Sequence, residues 1–249
     1  LIVCVILKLG YSQFFEYEKI SLKATELWER SFPLEAARGN IYDANMEILA
    51  SNLPTMSVVV IPFQVKDKEQ CAQKLAKILN ADYEKILAKI SKSVSIERLS
   101  PEGRQISEEQ AKAITDLKMD GVYVVQDSKR YYPFNELLAP SLGFVGIDNQ
   151  GLAGIEGKYD DYLKGKNGSL NYKMDAKGGL MNGFISRIES PVSGLSLQLT
   201  VDLKIQEIVE RELTNAYAKY KPDSIMALAM NPNNGDILAI SNRPTYNPN

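Results

Sequence analysis

The sequence predicts an α+β chain, in which an elongated β-rich frame carries a small inserted helical lobe and leads into the opening of an α/β domain. Two observations support this prediction. Strand-like apolar stretches at residues 57–61 and 122–125 flank a run of amphipathic helices, so the lobe is expected at about residues 64–120. A strand, a helix and a hairpin then follow within residues 195–249, which is too short a stretch for a core of its own.

The composition excludes several classes of function. The 249 residues carry 29 Lys and Arg against 31 Asp and Glu, and a net charge of −2 argues against electrostatic binding to nucleic acid. The absence of His excludes Ser-His-Asp and Cys-His hydrolysis and the His-Glu-x-x-His zinc site. Any chemistry must therefore depend on Lys, carboxylate, Tyr or Ser. Cys4 and Cys71 are far apart and are interpreted as small buried apolar residues.

Residues 1–17 predict the C-terminal part of a membrane-anchor helix. Residues 1–15 are apolar except for Lys8, Gly10, Ser12 and Gln13. As a helix they would reach about 22 Å of the roughly 30 Å that a membrane span requires. Aromatic residues of the kind found at a membrane–water boundary follow at Tyr11, Phe14, Phe15 and Tyr17. A buried core helix is the alternative that the sequence leaves open.

Apolar residues at helical spacing predict three amphipathic helices in the inserted lobe. The third helix opens with the capping box Ser107-Glu-Glu-Gln110 and stops before Gly121. The three predicted apolar faces are Cys71, Leu75, Ile78 and Leu79; Tyr83, Ile86, Leu87 and Ile90; and Ala111, Ile114 and Leu117.

Proline, glycine and asparagine predict where strands end and where the chain turns. Pro54 and Pro62 bracket the strand expected at residues 57–61. Hairpin turns are expected at Lys166-Asn-Gly168 and at Gly178-Gly179.

The last part of the chain has the pattern of a strand, a helix and a hairpin. Thr200 or Asp202 caps the helix, whose predicted apolar face is Ile205, Ile208, Val209, Leu213 and Tyr217. Asn231-Pro-Asn-Asn-Gly235 predicts the turn of the hairpin between residues 225–230 and 237–241.

Four segments, in this order, resemble the sequence boxes of class B penicillin-binding proteins, the membrane-anchored D,D-transpeptidases of bacterial cell-wall synthesis. The first is Arg38-Gly-Asn-Ile-Tyr-Asp43 with Ile48-Leu-Ala50, and the second is Arg130-Tyr-Tyr-Pro133 with Leu142-Gly-Phe-Val-Gly146. The third is Gly154-Ile-Glu156 with Tyr159 and Leu163-Lys-Gly165. The fourth combines Leu197-Gln-Leu-Thr-Val-Asp202, Ile205-Gln206, Gly235-Asp-Ile-Leu-Ala239 and Pro244-Thr-Tyr-Asn-Pro-Asn249.

The resemblance implies an N-terminal fragment of such an enzyme. Residues 18–194 would form the dimerisation or pedestal module, and residues 195–249 the truncated start of a serine β-lactamase-like transpeptidase domain. The full-length parent would cross-link peptidoglycan stem peptides by serine acyl transfer, and β-lactams would imitate that substrate. The chain contains neither Ser-x-x-Lys nor Lys-Ser/Thr-Gly, so the fragment is expected to be inactive alone.

The resemblance also implies a location and partners. A single-pass anchor would hold the protein in the plasma membrane with the bulk of the chain extracytoplasmic. The expected partner is a polytopic glycan polymerase, and a homodimer is a further option; no cofactor, metal or nucleic acid is expected. The alternative interpretation is a non-catalytic extracytoplasmic scaffold or binding protein of the cell-wall machinery.

The residues of the boxes are interpreted as structural, and none as catalytic. Arg38 and Asp43 are expected to pair with each other, and Glu156 to make a structural hydrogen bond. Met46 stands where relatives have Gly, so the turn is expected not to need a positive φ. Close backbone approach is expected at some of the glycines. The motif residues are Arg38, Gly39, Asp43, Arg130, Pro133, Gly143, Gly146, Gly154, Glu156, Asp202 and Gln206.

Overall fold

A computed structural model describes residues 29–94, 96–174 and 180–249. The predicted membrane segment at residues 1–17 and the predicted turn at Gly178-Gly179 lie outside these ranges. Within the described ranges, none of the helices combines the length and the apolar character that crossing a membrane requires.

The described ranges contain ten strands and seven helices, which confirms the predicted mixture of α and β structure. The strands are β1 Glu29–Leu34, β2 Ile41–Tyr42, β3 Ile48–Val60, β4 Glu97–Arg98, β5 Val122–Tyr131, β6 Gly168–Met174, β7 Leu180–Glu189, β8 Leu197–Gln198, β9 Ile225–Met230 and β10 Ile237–Arg243. The helices are α1 Lys68–Leu79, α2 Tyr83–Ile90, α3 Glu108–Asp116, α4 Ala139–Leu142, α5 Gly154–Lys158, α6 Asp160–Leu163 and α7 Leu203–Tyr220.

A long antiparallel ribbon of β3 and β5 forms the centre of the largest sheet. Its register runs from Ser51 opposite Tyr131 to Val60 opposite Val122. At one end β3 also pairs with β4, and at the other with β2, which in turn pairs in parallel with β8. A separate sheet has the order β1-β6-β7, with antiparallel neighbours. The ribbon therefore links the helices α1–α3 at one end to the sequence boxes at the other.

Helices α1–α3 pack on the β4 end of the ribbon. The side chains of Asp67, Asp82 and Ser107 cap their N-termini, and the predicted capping box between Ser107 and Gln110 is confirmed. Most residues of the predicted apolar faces are buried, while Ile78, Tyr83 and Leu87 are partly buried against the core. Leu117 lies beyond the end of α3 and is exposed. This core contains Val58, Val60, Cys71, Leu75, Leu79, Ile86, Ile90, Leu99, Ala111 and Ile114.

A second core lies at the other end of the ribbon, where the sequence boxes meet. Its buried members come from all four boxes and from α4 and α6: Ile41, Leu49, Ala50, Tyr132, Leu138, Leu142, Leu163 and Val201. Few of the segments around this core belong to long helices or strands. Their backbone groups therefore need partners other than a regular ladder.

Two turn predictions were wrong. Pro54 lies within β3, opposite Ser128, rather than at the end of a strand. Its missing N–H is tolerated because the described sheet pairs β3 on one side only at this position. Lys166-Asn-Gly168 is not a hairpin turn: Lys166 pairs with Val192, Gly168 begins β6, and the Asn167 side chain accepts a hydrogen bond from the Ala36 N–H.

The C-terminal helix α7 lies on the β9–β10 hairpin. Of the two predicted caps, Asp202 is the one used, since its Oδ1 accepts from the N–H groups of Lys204 and Ile205. The predicted hairpin is confirmed by the antiparallel pairing of β9 with β10. Ile208, however, is exposed, while Gln206 is fully buried and hydrogen-bonded to the backbone of Ile240.

The turn after Asp43 also differs from its prediction. Met46 has φ +67°, so the turn does need a left-handed residue although this sequence supplies no glycine. The Met46 side chain is exposed and contributes nothing to either core. A left-handed L-residue costs about 1–2 kcal/mol relative to glycine in the folded chain.

We expect Met46→Gly to raise the free energy of unfolding by about 1 kcal/mol, because relief of the left-handed backbone outweighs the added entropy of the unfolded chain. Urea denaturation measures the change. Met46→Ala keeps the strained backbone and removes the same side chain, so its stability should stay near wild type. Equal stability of the two variants would contradict the explanation.

Candidate functional site

Glu156 lies at the centre of a buried cluster of charges. It belongs to α5, and its carboxylate is completely shielded from solvent. Its Oε2 accepts from Arg38 Nε at 2.7 Å, and its Oε1 accepts from Arg130 Nε at the same distance. The carboxylate is thus shared between two guanidinium groups that come from distant parts of the chain. Glu156 makes structural hydrogen bonds, as expected from the sequence.

Arg38 fastens the first box to the third. Its Nη1 donates to the Asn149 carbonyl at 2.9 Å and to Asp160 Oδ1 at 2.7 Å. Its Nη2 donates to the backbone carbonyl of Glu156 at 3.0 Å. Burial of an arginine is tolerated here because these donors meet carboxylate or carbonyl oxygens.

Arg130 extends the cluster to the first box from the end of β5. Its Nη1 donates to the Gly39 carbonyl at 2.9 Å and to Asn52 Oδ1 at 3.1 Å. The buried Tyr132 hydroxyl lies 3.4 Å from Glu156 Oε1. The two buried arginines face two carboxylates, those of buried Glu156 and of partly exposed Asp160, and such pairing is the condition for burying guanidinium groups.

The protonation states of the neighbours fit this arrangement. Burial alone would raise the pKa of Asp160, but hydrogen bonds from the Gly151 N–H and from Arg38 outweigh it and hold that pKa below its usual range. Burial raises the pKa of Tyr132, and the charge of Glu156 raises it further, so its phenol stays protonated and can donate. At neutral pH, Asp160 is therefore ionised and the phenol of Tyr132 is neutral.

Glycines allow the chain segments around the cluster to approach each other. A Cβ on Gly39 would lie 1.9 Å from the Leu195 carbonyl oxygen, and one on Gly143, where φ is +79°, would lie 1.8 Å from the Ala153 oxygen. These contacts confirm the predicted close backbone approach at Gly39 and Gly143, whereas a Cβ on Gly146 would meet only the end of the Gln150 side chain, at 2.8 Å. Gly154 begins α5 directly against Gly143.

Asp43 does not pair with Arg38, and this prediction was wrong. Its Oδ1 accepts from the N–H groups of Asn45 at 2.7 Å and Glu47 at 2.8 Å. Its Oδ2 accepts from Leu203 N–H, at the start of α7, at 3.1 Å. Backbone N–H groups of the turn and of the helix N-terminus bind this carboxylate locally. Arg38 therefore pairs with acids that lie 118 and 122 residues away in the sequence.

The remaining predicted residues hold the segments that flank the cluster. Pro133 follows Tyr132 in the turn closed by the hydrogen bond from Asn135 N–H to the Tyr132 carbonyl. Asp202 caps α7 and also accepts from Asn45 Nδ2 at 3.0 Å. Gln206 binds the N–H and the carbonyl of Ile240, both at 2.9 Å.

A second buried cluster, centred on Arg104, was not predicted from the sequence. Its Nε donates to Asp127 at 2.7 Å, Nη1 to Asp148 at 2.9 Å and Nη2 to the Ile147 carbonyl at 2.8 Å. Ser57 also donates to Asp127. Burial would raise the pKa of Asp127, but these hydrogen bonds hold it below its usual range. An Asp inside a strand is the one sequence signal for this cluster.

The geometry suits mechanical fastening better than catalysis. The acids at the centre of both clusters are saturated by arginine, hydroxyl and backbone donors, and none lies beside an activated nucleophile. Within residues 29–94, 96–174 and 180–249, no group of three or more Cys, Asp or Glu side chains is arranged to hold a metal ion. The Glu156 cluster holds segments of the first three boxes together, and the Arg104 cluster holds β5 to the turn at residues 147–148.

We expect Glu156→Gln to lower the free energy of unfolding by about 3–5 kcal/mol, because it leaves buried guanidinium charge without compensation. Thermal or urea denaturation measures this. The matched control is Asp161→Asn, whose carboxylate is 89% exposed in a surface pair with Lys164 and should cost less than about 0.5 kcal/mol. A loss below about 1 kcal/mol for Glu156→Gln would show that the cluster is not a main stabilising element.

Comparisons with known sequences identify relatives of this arrangement. The family profile described as Penicillin-binding Protein dimerisation domain matches residues 33–199. The chain is 48% identical over 241 residues to Stage V sporulation protein D of Bacillus subtilis strain 168, covering 97% of this chain and 37% of that protein. It is 32% identical over 227 residues to peptidoglycan D,D-transpeptidase FtsI of Escherichia coli K12, covering 87% of this chain and 37% of the relative.

Solved structures of proteins from two other bacteria are also similar to this chain. The complex between Penicillin-Binding Protein (PBP2) and MreC from Helicobacter pylori matches with a TM-score of 0.67 at 25% identity, covering 89% of this chain and 44% of that one. A peptidoglycan synthetase from Bifidobacterium adolescentis matches with a TM-score of 0.61 at 25% identity, covering 88% and 44%. The chain thus spans less than half the length of each relative named here.

The four boxes were the basis of the resemblance, and the structure places the first three around one buried charge cluster and all four around the second core. The family profile covers most of the same stretch. This chain belongs to the class B penicillin-binding proteins, and residues 33–199 belong to their dimerisation domain family.

Proposed function

We propose that this chain is the non-catalytic pedestal of a membrane-anchored penicillin-binding protein that cross-links peptidoglycan stem peptides by serine acyl transfer. The observation that carries the proposal is the convergence of the boxes on the Arg38–Glu156–Arg130 cluster. The carboxylate of Glu156 and most of the guanidinium donors there join segments of the chain, which suits a rigid support. The activity proposed for the parent is supported by relatives that are named peptidoglycan D,D-transpeptidases.

The proposed division of the chain is an anchor at residues 1–17, a pedestal at 18–194 with a helical lobe at about 64–120, and the start of a transpeptidase domain at 195–249. Two observations support the last boundary. The family match ends at residue 199. In addition, the β9–β10 hairpin exposes Met226, Leu228 and Met230 on one face of β9, and the described sheet leaves the outer edge of β9 unpaired. An apolar face with an open edge is what a further layer of the same domain would cover.

Covalent labelling with fluorescent penicillin tests the assignment of activity. Because the chain has no Ser-x-x-Lys and no Lys-Ser/Thr-Gly, the 249 residues should not label. A longer protein that contains this chain should label at a serine beyond Asn249. Labelling of the 249 residues would refute the proposed inactivity, and no labelling of the longer protein would favour the alternative of a non-catalytic extracytoplasmic scaffold.

The pedestal is also proposed to dock partners from its place outside the plasma membrane. The solved complex with MreC shows that a similar protein assembles with a second protein. For this chain the proposed partner is a polytopic glycan polymerase in the same membrane, with a homodimer as the further option. Stem peptides and β-lactams are proposed as ligands of the full-length parent only.

Co-purification from detergent-solubilised membranes tests the docking. A tagged chain should retain the polymerase after deletion of residues 196–249, because the pedestal module remains. The control is deletion of residues 64–120, which removes the helical lobe and leaves the four boxes in place. Loss of the polymerase on deletion of 196–249 would place the docking surface outside the pedestal.

A further inference from the structure

The last residues of the chain lie on the segment that follows β5. Thr245 Oγ1 donates to the Glu136 carbonyl at 3.2 Å, and the Tyr246 hydroxyl donates to the Ala139 carbonyl at 3.2 Å. The Tyr246 ring also meets the Phe144 ring edge to face, with centroids 6.0 Å apart. Residues 245–249, which we name the strap, therefore cross from the end of β10 to the second box.

Asn249 makes the most specific of these contacts. Its Nδ2 donates to the Tyr132 carbonyl at 3.0 Å, and its Oδ1 accepts from the Tyr132 N–H at 2.9 Å. A primary amide carries a donor and an acceptor side by side, as a peptide group does. Since β5 ends at Tyr131, the Asn249 side chain takes the place that a neighbouring strand would occupy opposite the next residue.

Asn247 prepares Asn249 for this role in a different way. Its Oδ1 accepts from the Asn249 N–H at 3.0 Å and from Asn249 Nδ2 at 3.2 Å. Asn247 takes part in these two bonds only as an acceptor, through its side-chain oxygen. An aspartate at position 247 could therefore accept the same two bonds. Asn249, in contrast, needs both halves of its amide.

Tyr132 connects the strap to the buried charge cluster. Its backbone binds Asn249, while its buried hydroxyl reaches Glu156 and Arg130 lies two residues earlier in the chain. Any displacement of the cluster must therefore move the backbone to which Asn249 is attached. Tyr132 thus connects the buried charge cluster of the pedestal to Asn249.

We propose that the strap transmits the orientation of the pedestal to the catalytic domain. In this proposal Asn249 is a positioning residue that is hydrogen-bonded to the backbone of Tyr132. This rests on the proposed function, which places a transpeptidase domain after Asn249. Asn249 touches no substrate in this role. It acts through the path that the chain takes on leaving β10.

The test compares Asn249→Asp with Asn247→Asp, the same substitution two residues apart. In Asn249→Asp one carboxylate oxygen could still accept from the Tyr132 N–H, but the other cannot donate to the Tyr132 carbonyl and repels it. This repulsion should detach the side chain, so the Tyr132 amide should exchange its hydrogen about tenfold faster by NMR. Asn247→Asp should leave that exchange within about twofold of wild type. Unchanged exchange in Asn249→Asp would overturn the proposed contact.

The second measurement is the rate of penicillin acylation of the longer protein. Asn249→Asp should lower this rate at unchanged melting temperature, whereas Asn247→Asp should match the wild type. Faster Tyr132 exchange with a wild-type acylation rate would overturn the positioning role. A wild-type protein that is not acylated at all would count against the proposed function, and the exchange experiment would still decide on the strap.

Discussion

The carboxylate of Glu156 lies between the guanidinium groups of Arg38 and Arg130, and the arrangement of the boxes depends on this contact. Each arginine carries further hydrogen bonds outward, Arg38 to Asn149 and Asp160, and Arg130 to Gly39. One acid thereby fixes the mutual position of segments that no continuous sheet or helix joins. Removal of the Glu156 charge would leave the buried guanidinium of Arg130 without its acidic partner and Arg38 with Asp160 alone, so the cluster depends on this one acid.

A buried polar cluster is used here because the surrounding segments are short. Helices α4, α5 and α6 have 4, 5 and 4 residues, so many backbone carbonyls lack partners within regular structure. Arginine offers five donors in a rigid fork and can bind carboxylates and carbonyls together. Arg104 has a similar role near the middle of the ribbon, where it binds the Ile147 carbonyl as well as Asp127. The turn at residues 147–149 is therefore held by two arginines, Arg104 and Arg38.

The proposed function follows from rigidity rather than from reactive groups. A support that carries a catalytic domain away from a membrane must keep its two ends in a fixed relation. The β3–β5 ribbon, the two cores and the two arginine clusters supply that stiffness in the described part of the chain. The strap is the proposed point at which this relation passes to the proposed transpeptidase domain, because Asn249 is bound to the backbone next to the charge cluster.

Local sequence pattern by itself determined the helices α1–α3, the capping box of α3, the β9–β10 hairpin and the four boxes that identify the family. These features arise from residues within a few positions of each other, where spacing and capping chemistry act directly. Only the tertiary structure decided the partner of Arg38, since Glu156 and Asp160 are 118 and 122 residues away and Asp43 was the nearer candidate. It also decided the positive φ of Met46, the Arg104 cluster and the place of Asn249. The physical reason is that a charge pairs with whichever opposite charge the fold buries beside it, and sequence distance carries no information about that.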